Sequence, residues 1–479
     1  MAEDSPVPSD ASKRLLPWLV AVAFFMESLD TTILNTAVPA VSEALGVTPL
    51  AMKAVLASYT LALAVFIPIS GWMADRFGTR RVFSSAIGLF TAGSLLCGLC
   101  SNIHLLVACR VLQGMGGALM VPVGRLTLVR TFAKSDLVRI MSFVSIPALV
   151  APMLGPIAGG LIVGYLHWRV IFFLNIPIGL AGLVMVYLHL PDFHEETHTL
   201  DVVGLILFGS GVALLSYVLE VFGEHTLGAG EITGMLVLSL ALLCGYWLHA
   251  RPLEYPLLQM RLFTLRTFRA AVNGSFFTRL GIGGVPFLLP LLYQTGLGFT
   301  PIQSGLLIMP QALGAMSVKA VLRQLLARIG FRGVLVSNTV VIGLLLGLFS
   351  AIGAATPVWL IVVLAYLYGA FTSLQYTSMN TLVYADVEER DSSAASSIAS
   401  TMQQMSISFG VAAAGLTTAF FVPAGGGRVP AEMIHGIHLA FRWLGGLTIA
   451  STMVFASLKS GDGDSVSQHK FLRQHHPDG

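Results

Sequence analysis

Runs of about 18 to 25 predominantly apolar residues recur from one end of the chain to the other, separated by short polar turns. A helix of about 20 apolar residues is long enough to span the hydrocarbon core of a bilayer, so each run predicts one membrane-spanning helix. About fourteen are expected, over 15–41, 51–71, 82–101, 104–123, 140–163, 170–190, 202–222, 232–250, 270–293, 302–320, 333–353, 357–378, 394–421 and 437–458. The pattern predicts an all-α polytopic membrane protein.

Lys and Arg orient these spans. With the N-terminus inside, one set of loops carries Arg76, Arg80, Arg81, Arg125, Arg130, Lys134, Arg139, Arg251, Arg261, Arg266, Arg269, Lys319, Arg323, Arg328 and Arg332, while the other holds only Lys53, Arg169, Arg428 and Arg442. Positive residues stay on the cytoplasmic side, so both termini are expected there, with an even number of helices. Composition agrees: 55% of the 479 residues are hydrophobic and 11% charged, against roughly 25% charged in soluble domains. A net charge of +3 is too even to suggest a nucleic-acid partner. The four cysteines, Cys97, Cys100, Cys109 and Cys244, lie in apolar runs. Cys97 and Cys100 form a C-x-x-C but have no second ligand pair nearby, so neither a metal nor a redox role is expected.

Two basic turns look alike. Asp75 to Phe83 reads DRFGTRRVF and Ala327 to Leu335 reads ARIGFRGVL, so Arg76, Gly78, Arg80 and Val82 recur as Arg328, Gly330, Arg332 and Val334. Weak internal symmetry of this kind marks secondary transporters built from two related halves. The expected organisation is a cytoplasmic tail over 1–14, a six-helix bundle over 15–190, a linker with two extra helices over 191–263, a second six-helix bundle over 264–458 and a cytoplasmic tail over 459–479.

The first span buries Glu27 and Asp30 in an otherwise apolar stretch. Charges at that depth cost roughly 2.5–3.5 kcal/mol on insertion scales, so they face a cavity, find a partner or take up a proton. Three residues apart, the two share a helix face, and repulsion between them favours holding one proton. Asp30 is the first candidate for proton coupling and Glu27 the second; a hydrogen bond to a neighbouring helix is the alternative for either. Arg110 in the fourth span cannot lose its proton and needs an acceptor, for which Asp30 or Glu27 are available; a structural hydrogen-bond hub is its alternative role. Gln113 adds a polar group three residues on.

Gly71-Trp72-Met73-Ala74-Asp75-Arg76-Phe77-Gly78-Thr79-Arg80-Arg81 resembles the loop signature of the major facilitator superfamily, and Arg110 to Gly117 (RVLQGMGG) is similar to its fourth-helix motif. In the loop, Gly71 is expected to let two helices approach, Gly78 to permit a tight turn, and Asp75 to cap the next helix or pair with an Arg, so that Gly71, Asp75, Arg76, Gly78 and Arg80 form a conformational latch. Ala151 to Gly160 (APMLGPIAGG) resembles the fifth-helix motif of drug and proton antiporters, with Ala151 where the pattern often has Gly; Gly155, Pro156, Gly159 and Gly160 would form a packing face and a joint. Leu29 to Pro39 (LDTTILNTAVP) and Trp168 to Pro177 (WRVIFFLNIP) resemble signatures of the fourteen-helix drug:proton antiporter family of the EmrB/QacA type. Within it, Ser70 to Gly78, Gly116 to Arg125 and Ala394 to Ser397 are most similar to the enterobacterial HsrA/MdtD-like transporters, and Glu27 stands where those relatives tend to have Gln.

In the second half Arg279 is a cation well inside an apolar span. It either binds an anionic group on the substrate, serves as counter-ion to a carboxylate, or ties helices together through backbone carbonyls. Phe24, Tyr59, Gln113, Tyr293, Gln294, Gln375 and Gln403, with Arg279, are the substrate-binding candidates, as few polar anchors in a mostly apolar pocket; each polar one taken singly reads first as a packing hydrogen bond, and only the set points to a pocket. Glu220, near the outer end of its span, is expected to reach the interface, with proton coupling as its alternative. No G-x-x-x-x-G-K-[ST] loop appears, so the proton-motive force, and no cofactor or metal, is the expected energy source.

The resemblance implies a monomeric exporter in the bacterial inner membrane that exchanges small, partly apolar compounds for protons by alternating access. A metabolite symporter or uniporter on the same fold, or a transporter-like sensor, are the alternatives. No nucleophile and base at matched depth suggest an enzyme. The exporter reading requires the Asp30 side chain to face a central cavity, neither packed against lipid nor sealed far from such a cavity.

Overall fold

The computed structural model describes residues 10–132, 134–194, 199–221, 228–388, 391–421, 430–459 and 461–463. Helices follow one another throughout. The first stretch contains α1 (Asp10–Leu45), α2 (Lys53–Phe66), α3 (Ser70–Phe77), α4 (Thr79–Leu99), α5 (Ile103–Thr131), α6 (Lys134–Tyr165), α7 (Val170–Phe173) and α8 (Asn175–His189). Next come α9 (Val202–Val221) and α10 (Ala229–Ala250). The remainder comprises α11 (Arg266–Ile282), α12 (Val285–Leu291), α13 (Pro301–Ser317), α14 (Lys319–Phe349), α15 (Val358–Leu382), α16 (Ser392–Phe421), α17 (Pro430–Ala450) and α18 (Thr452–Ala456).

Among the described residues, 12 helical runs are long and apolar enough to cross a membrane. The long α6 and the 17-residue α13 complete the fourteen passes read from the sequence; at 1.5 Å per residue, α13 rises about 25 Å, close to the thickness of the hydrocarbon core. Boundaries moved where proline or glycine intervenes. The predicted 51–71 span runs on through a 3-10 turn at Ile67–Ile69, where Pro68 removes a donor, into α3. The predicted 302–320 span stops at Ser317, and α14 carries the second basic turn inside one long helix.

That turn is broken at Gly330 (φ 75°, ψ 166°), and its counterpart at Gly78 (φ 93°, ψ 141°). Both lie in a region of backbone space that is essentially glycine-only, so the matched glycines of the two basic turns do the same backbone work. A Cβ on Gly78 would also sit 2.3 Å from Asp192 Oδ1. Gly78→Ala is therefore expected to destabilise the protein by about 1–3 kcal/mol from backbone strain alone, read as a lowered unfolding midpoint in detergent.

The packing is interlocked. α1 lies on α6, α5 on α2 and α4, α13 on α15, α14 on α17, and α11 on α16. Two seams join the first eight helices to the later ones, α6 against α13 and α2 against α16, and one hydrophobic cluster draws Leu34, Val38, Val55, Phe287, Phe349 and Phe441 from both sides. Lys53, expected in a loop, is instead 2% exposed in the first turn of α2, with its stem against Gly415 of α16. Its aliphatic carbons fill a helix contact that the loop reading did not foresee.

The two extra helices form a hairpin. Ser239 Oγ of α10 donates to the Gly211 carbonyl of α9 (2.8 Å), and α9 packs on α2 and α16. Asp201 closes the open end of the hairpin. It accepts from Gly204 N (2.7 Å), His249 Nε2 (2.8 Å) and Leu257 N (3.1 Å). Burial raises this carboxyl, but the hydrogen bonds from His249, Gly204 and Leu257 outweigh it and hold it below the ordinary carboxylate range. A lowered folded-state value means stability that is present above about pH 4 and lost as pH falls through the folded value. Amide exchange in the segment from 199 to 258 is therefore expected to rise below about pH 4, and in Asp201→Asn to be raised already at neutral pH.

The tail residues 1–9 and 464–479, Arg428, and the side chains of Lys134, Arg139, Glu220 and Arg323 lie outside the described residues.

Candidate functional site

Asp30 faces protein, not lipid. It is 1% exposed, at the meeting of α1, α4, α5 and α8, and its two carboxylate oxygens are divided among three donors. Arg110 Nη1 donates to Oδ2 (2.5 Å), while Gln113 Nε2 (2.8 Å) and Asn175 Nδ2 (3.0 Å) donate to Oδ1. The donors are themselves tied together. Arg110 Nη1 also reaches Gln113 Oε1 (2.7 Å), and Ser94 Oγ accepts from Gln113 Nε2 (2.6 Å) and Asn175 Nδ2 (3.1 Å).

Helical spacing and small residues make this convergence. Arg110 and Gln113, three apart, project from one face of α5. α5 can press on α4 because a Cβ on Gly116 would lie 2.5 Å from Phe90 N, and one on Gly93 2.7 Å from Gln113 Cα; side chains at either place would push the two helices apart. The Arg110 guanidinium is sandwiched, with Cζ 4.3 Å from the Tyr59 ring centroid and 6.0 Å from that of Phe172. A cation over an aromatic face gains more when water is excluded. Each of the three groups bonded to Asp30 is an N–H donor, so the site is complementary to a charged carboxylate.

Glu27, one turn earlier on α1, is half-buried and is not a member of this network. Beside it, Arg125 Cζ lies 5.3 Å from the ring of Phe24, so Phe24 is a lid under a cation as well as a core residue. Tyr59 and Gln113, both fully buried, belong to the Asp30 network and not to an open pocket. Gln375 is knotted between helices, donating to Thr339 Oγ1 (2.7 Å) and accepting from Asn338 Nδ2 (2.8 Å). Gln294 Nε2 donates to the Thr36 carbonyl of α1 (2.8 Å), and Tyr293 is buried edge-to-face on Phe299. Gln403 is half-buried on α16. Arg279, 2% exposed, donates to Ser275 Oγ (2.8 Å) and Asn380 Oδ1 (3.3 Å), with Cζ 3.8 Å from the Tyr376 centroid; among the described residues no carboxylate pairs with it, which leaves the counter-ion reading without a partner in this conformation.

The basic turn is held from two directions. Asp75 does not cap α4; it accepts from Arg130 Nη2 of α5 (2.7 Å). The cap comes from far along the chain, where Asp192 Oδ1 accepts from Arg80 N (3.0 Å) and Thr79 exchanges bonds with Phe193 (N to O 3.1 Å, N to Oγ1 3.0 Å). Arg76 is exposed. Gly71 is exposed too, and a Cβ there would meet nothing within 4 Å, so the close helix approach expected at Gly71 is absent. The face opposite it is open in this conformation.

The fifth-helix motif sits between two partners. Cβ atoms on Gly155 and Gly159 would lie 2.2 Å from Thr32 Oγ1 and 2.4 Å from the Ile33 carbonyl of α1, and one on Gly160 would lie 2.5 Å from the Pro301 carbonyl of α13. Gly305 of α13 returns the contact, its Cβ position lying 2.3 Å from the Pro156 carbonyl. Cavities of ≈ 250 Å³, lined by Trp72, Asp75, Asp201 and Tyr255 among others, and ≈ 340 Å³, lined by Glu43, Leu166 and Trp168 among others, lie away from Asp30. Among the described residues no group of His, Cys, Asp and Glu is arranged to hold a metal.

Ser94 and Asn175 are the members that reading the sequence missed. Asn175 carried a signal, as a polar residue inside the Trp168 to Pro177 stretch; a lone Ser in an apolar helix carries none.

The sequence matches the family model described as Major Facilitator Superfamily over residues 20–411. It is 41% identical over 411 residues to the MdtD protein of Serratia proteamaculans (strain 568), covering 86% of each chain. To MdtD of Escherichia coli O157:H7 it is 40% identical over 410 residues, covering 86% of this chain and 87% of the relative; both relatives are named for multidrug resistance. Among solved structures, a bacterial homolog of the human lysosomal transporter Spinster, inward-facing and unoccupied, superposes with a TM-score of 0.68 at 13% identity over 97% of this chain and 98% of that one. A POT family transporter in complex with a thioalcohol-conjugated peptide gives 0.66 at 15% identity over 91% and 94%. With many apolar helices long enough to cross a membrane among the described residues, a family match over most of its length and relatives sharing two residues in five, the chain is a multi-pass membrane transporter, not an enzyme, and belongs to the major facilitator superfamily.

Proposed function

We propose that this protein is a proton-coupled antiporter that exports small, partly apolar compounds across the bacterial inner membrane by alternating access, in the manner of multidrug efflux. The observation that carries this reading is the buried carboxylate of Asp30, held by Arg110, Gln113 and Asn175 at the junction of four helices. In the proposed cycle Asp30 takes a proton from the outer side as substrate leaves and gives it up to the cytoplasm as new substrate binds. The distribution of Lys and Arg supports both termini lying in the cytoplasm, and in this reading the six-helix bundles over 15–190 and 264–458 rock about the seams formed by α6 with α13 and α2 with α16. The monomer is the proposed working unit.

Asp30 is sealed from water in the conformation described, so proton exchange belongs to states in which the α1 and α5 walls part. Coupling is reciprocal: if protonation weakens substrate binding, substrate favours proton release by the same factor. Moving one charge across the membrane is worth roughly 2.3 kcal/mol per 100 mV, enough for a gradient of a few tens-fold. Release of protons on adding a lipophilic test compound to purified protein in weak buffer is the expected result. Accumulation of that compound in energised cells, with no rise on uncoupling, would instead point to import and retire the antiporter reading.

A further inference from the structure

Three cysteines line the wall between α4 and α5. Cys100 Sγ lies 3.6 Å from Cys109 Sγ, van der Waals contact between two sulfurs, whereas Cys97 Sγ turns inward to Gln113 Oε1 (3.8 Å). The C-x-x-C spacing is thus not the pair that matters. Cys100 finds its neighbour across a three-residue turn, on the next helix. That turn is fixed at both ends: Asn102 Oδ1 accepts from Leu105 N (2.9 Å), and Arg169 Nη2 donates to the Cys100 carbonyl (3.1 Å). All three thiols are free.

We infer that Cys100 and Cys109 are a redox-modifiable pair, closed into a disulfide between α4 and α5 by exchange with a disulfide-bearing oxidant. One cysteine thiolate attacks the oxidant's S–S bond and expels a thiol; the second displaces the remaining half. One S–S bond forms between Cys100 and Cys109, two S–H bonds are lost, and the oxidant leaves as two thiols. Two sulfurs already in contact must approach to about 2.05 Å, a movement within reach of side-chain rotation. Cys100 lies just past the end of the α4 span, in a cluster with Leu106, Trp168 and Phe172. Cys100 is fully buried in this conformation. Exchange therefore proceeds in conformers that open this end of the assembly. The cross-link would clamp α5 at the residue next to Arg110, restraining the donor that holds Asp30. That this end faces the oxidising outer side rests on the orientation proposed above.

The test uses the full chain in right-side-out vesicles with Cys97→Ser and Cys244→Ser introduced, leaving only the pair. Oxidised glutathione is added outside, the protein is denatured, and free thiols are counted with maleimide-polyethylene glycol. The expected result is loss of both tags, an intact mass lighter by two hydrogens, and a severalfold fall in transport that dithiothreitol reverses. Retention of both tags in vesicles of either orientation, or a mass increased by glutathione, overturns the pairing; cross-linking with unchanged transport overturns its control of activity. Cross-linking only in inverted vesicles keeps the pair and overturns the orientation.

Discussion

Asp30→Asn is expected to abolish substrate-triggered proton release while substrate binding persists, and to reduce active efflux to background. Asn is nearly isosteric, so the helix contacts survive, but the carboxyl that carries the proton in the proposed cycle is gone. The substitution also leaves Arg110 charged, nearly unexposed and without its carboxylate. Breaking a buried pair in this way costs on the order of 3–5 kcal/mol, whereas removing both charges is often close to neutral. A lowered unfolding midpoint is therefore expected in Asp30→Asn, and substantial recovery of that midpoint in the double variant Asp30→Asn with Arg110→Gln. Transport is not expected to return with it. That split between stability and activity separates a coupling acid from a structural ion pair: if the double variant regains efflux, Asp30 is merely a packing partner.

How much of this arrangement was legible in the sequence follows from what each residue costs when misplaced. Asp30 and Arg110 stood out because ionised groups in apolar runs must be accounted for. Gln113 followed from its spacing to Arg110. Asn175 and Ser94 did not, since short polar side chains are tolerated in helices at many positions and their significance comes only from α4 and α8 arriving beside α1. The same holds for partners distant along the chain: Asp75 was readable as a pairing group, but Arg130, 55 residues away, was one Arg among several. Fourteen helices were visible in hydropathy alone, whereas their breaks depended on local backbone geometry at Pro68 and Gly330. Gly71 shows the reverse case, a residue whose type suggests close packing but whose surroundings here are open.

Gly160→Val is expected to leave the protein folded and inserted yet nearly devoid of transport. Adding even a Cβ places an atom 2.5 Å from the Pro301 carbonyl and 3.0 Å from Ile302 Cα, both backbone atoms of α13 that no side-chain rotation can move. α6 and α13 must then separate by an ångström or more along one of the two seams between the halves. Within each half the helix contacts are untouched, so the penalty falls on the conformation described here, with the seam shut. A transporter that cannot close one side dissipates or stalls instead of pumping. Cysteine pairs placed across the seam would report it, with cross-linking expected to drop severalfold in Gly160→Val. Gly164→Ala is the comparison, because its Cβ would meet only the flexible Ile302 side chain at 3.2 Å, and near-normal activity is expected there. Equal activity in both variants would show that seam closure is not required for turnover.

The cap that Asp192 supplies to α4 has a bearing on how the chain is made. Its acceptor lies 112 residues beyond the amide it holds, so α4 emerges from the ribosome with its first turn unsatisfied and stays so until six helical passes have been synthesised. Long-range contacts of this kind form late, and the basic turn is thereby sealed only once the entire first half has been laid into the bilayer. Completion of those six passes and locking of the basic turn become a single event in biogenesis.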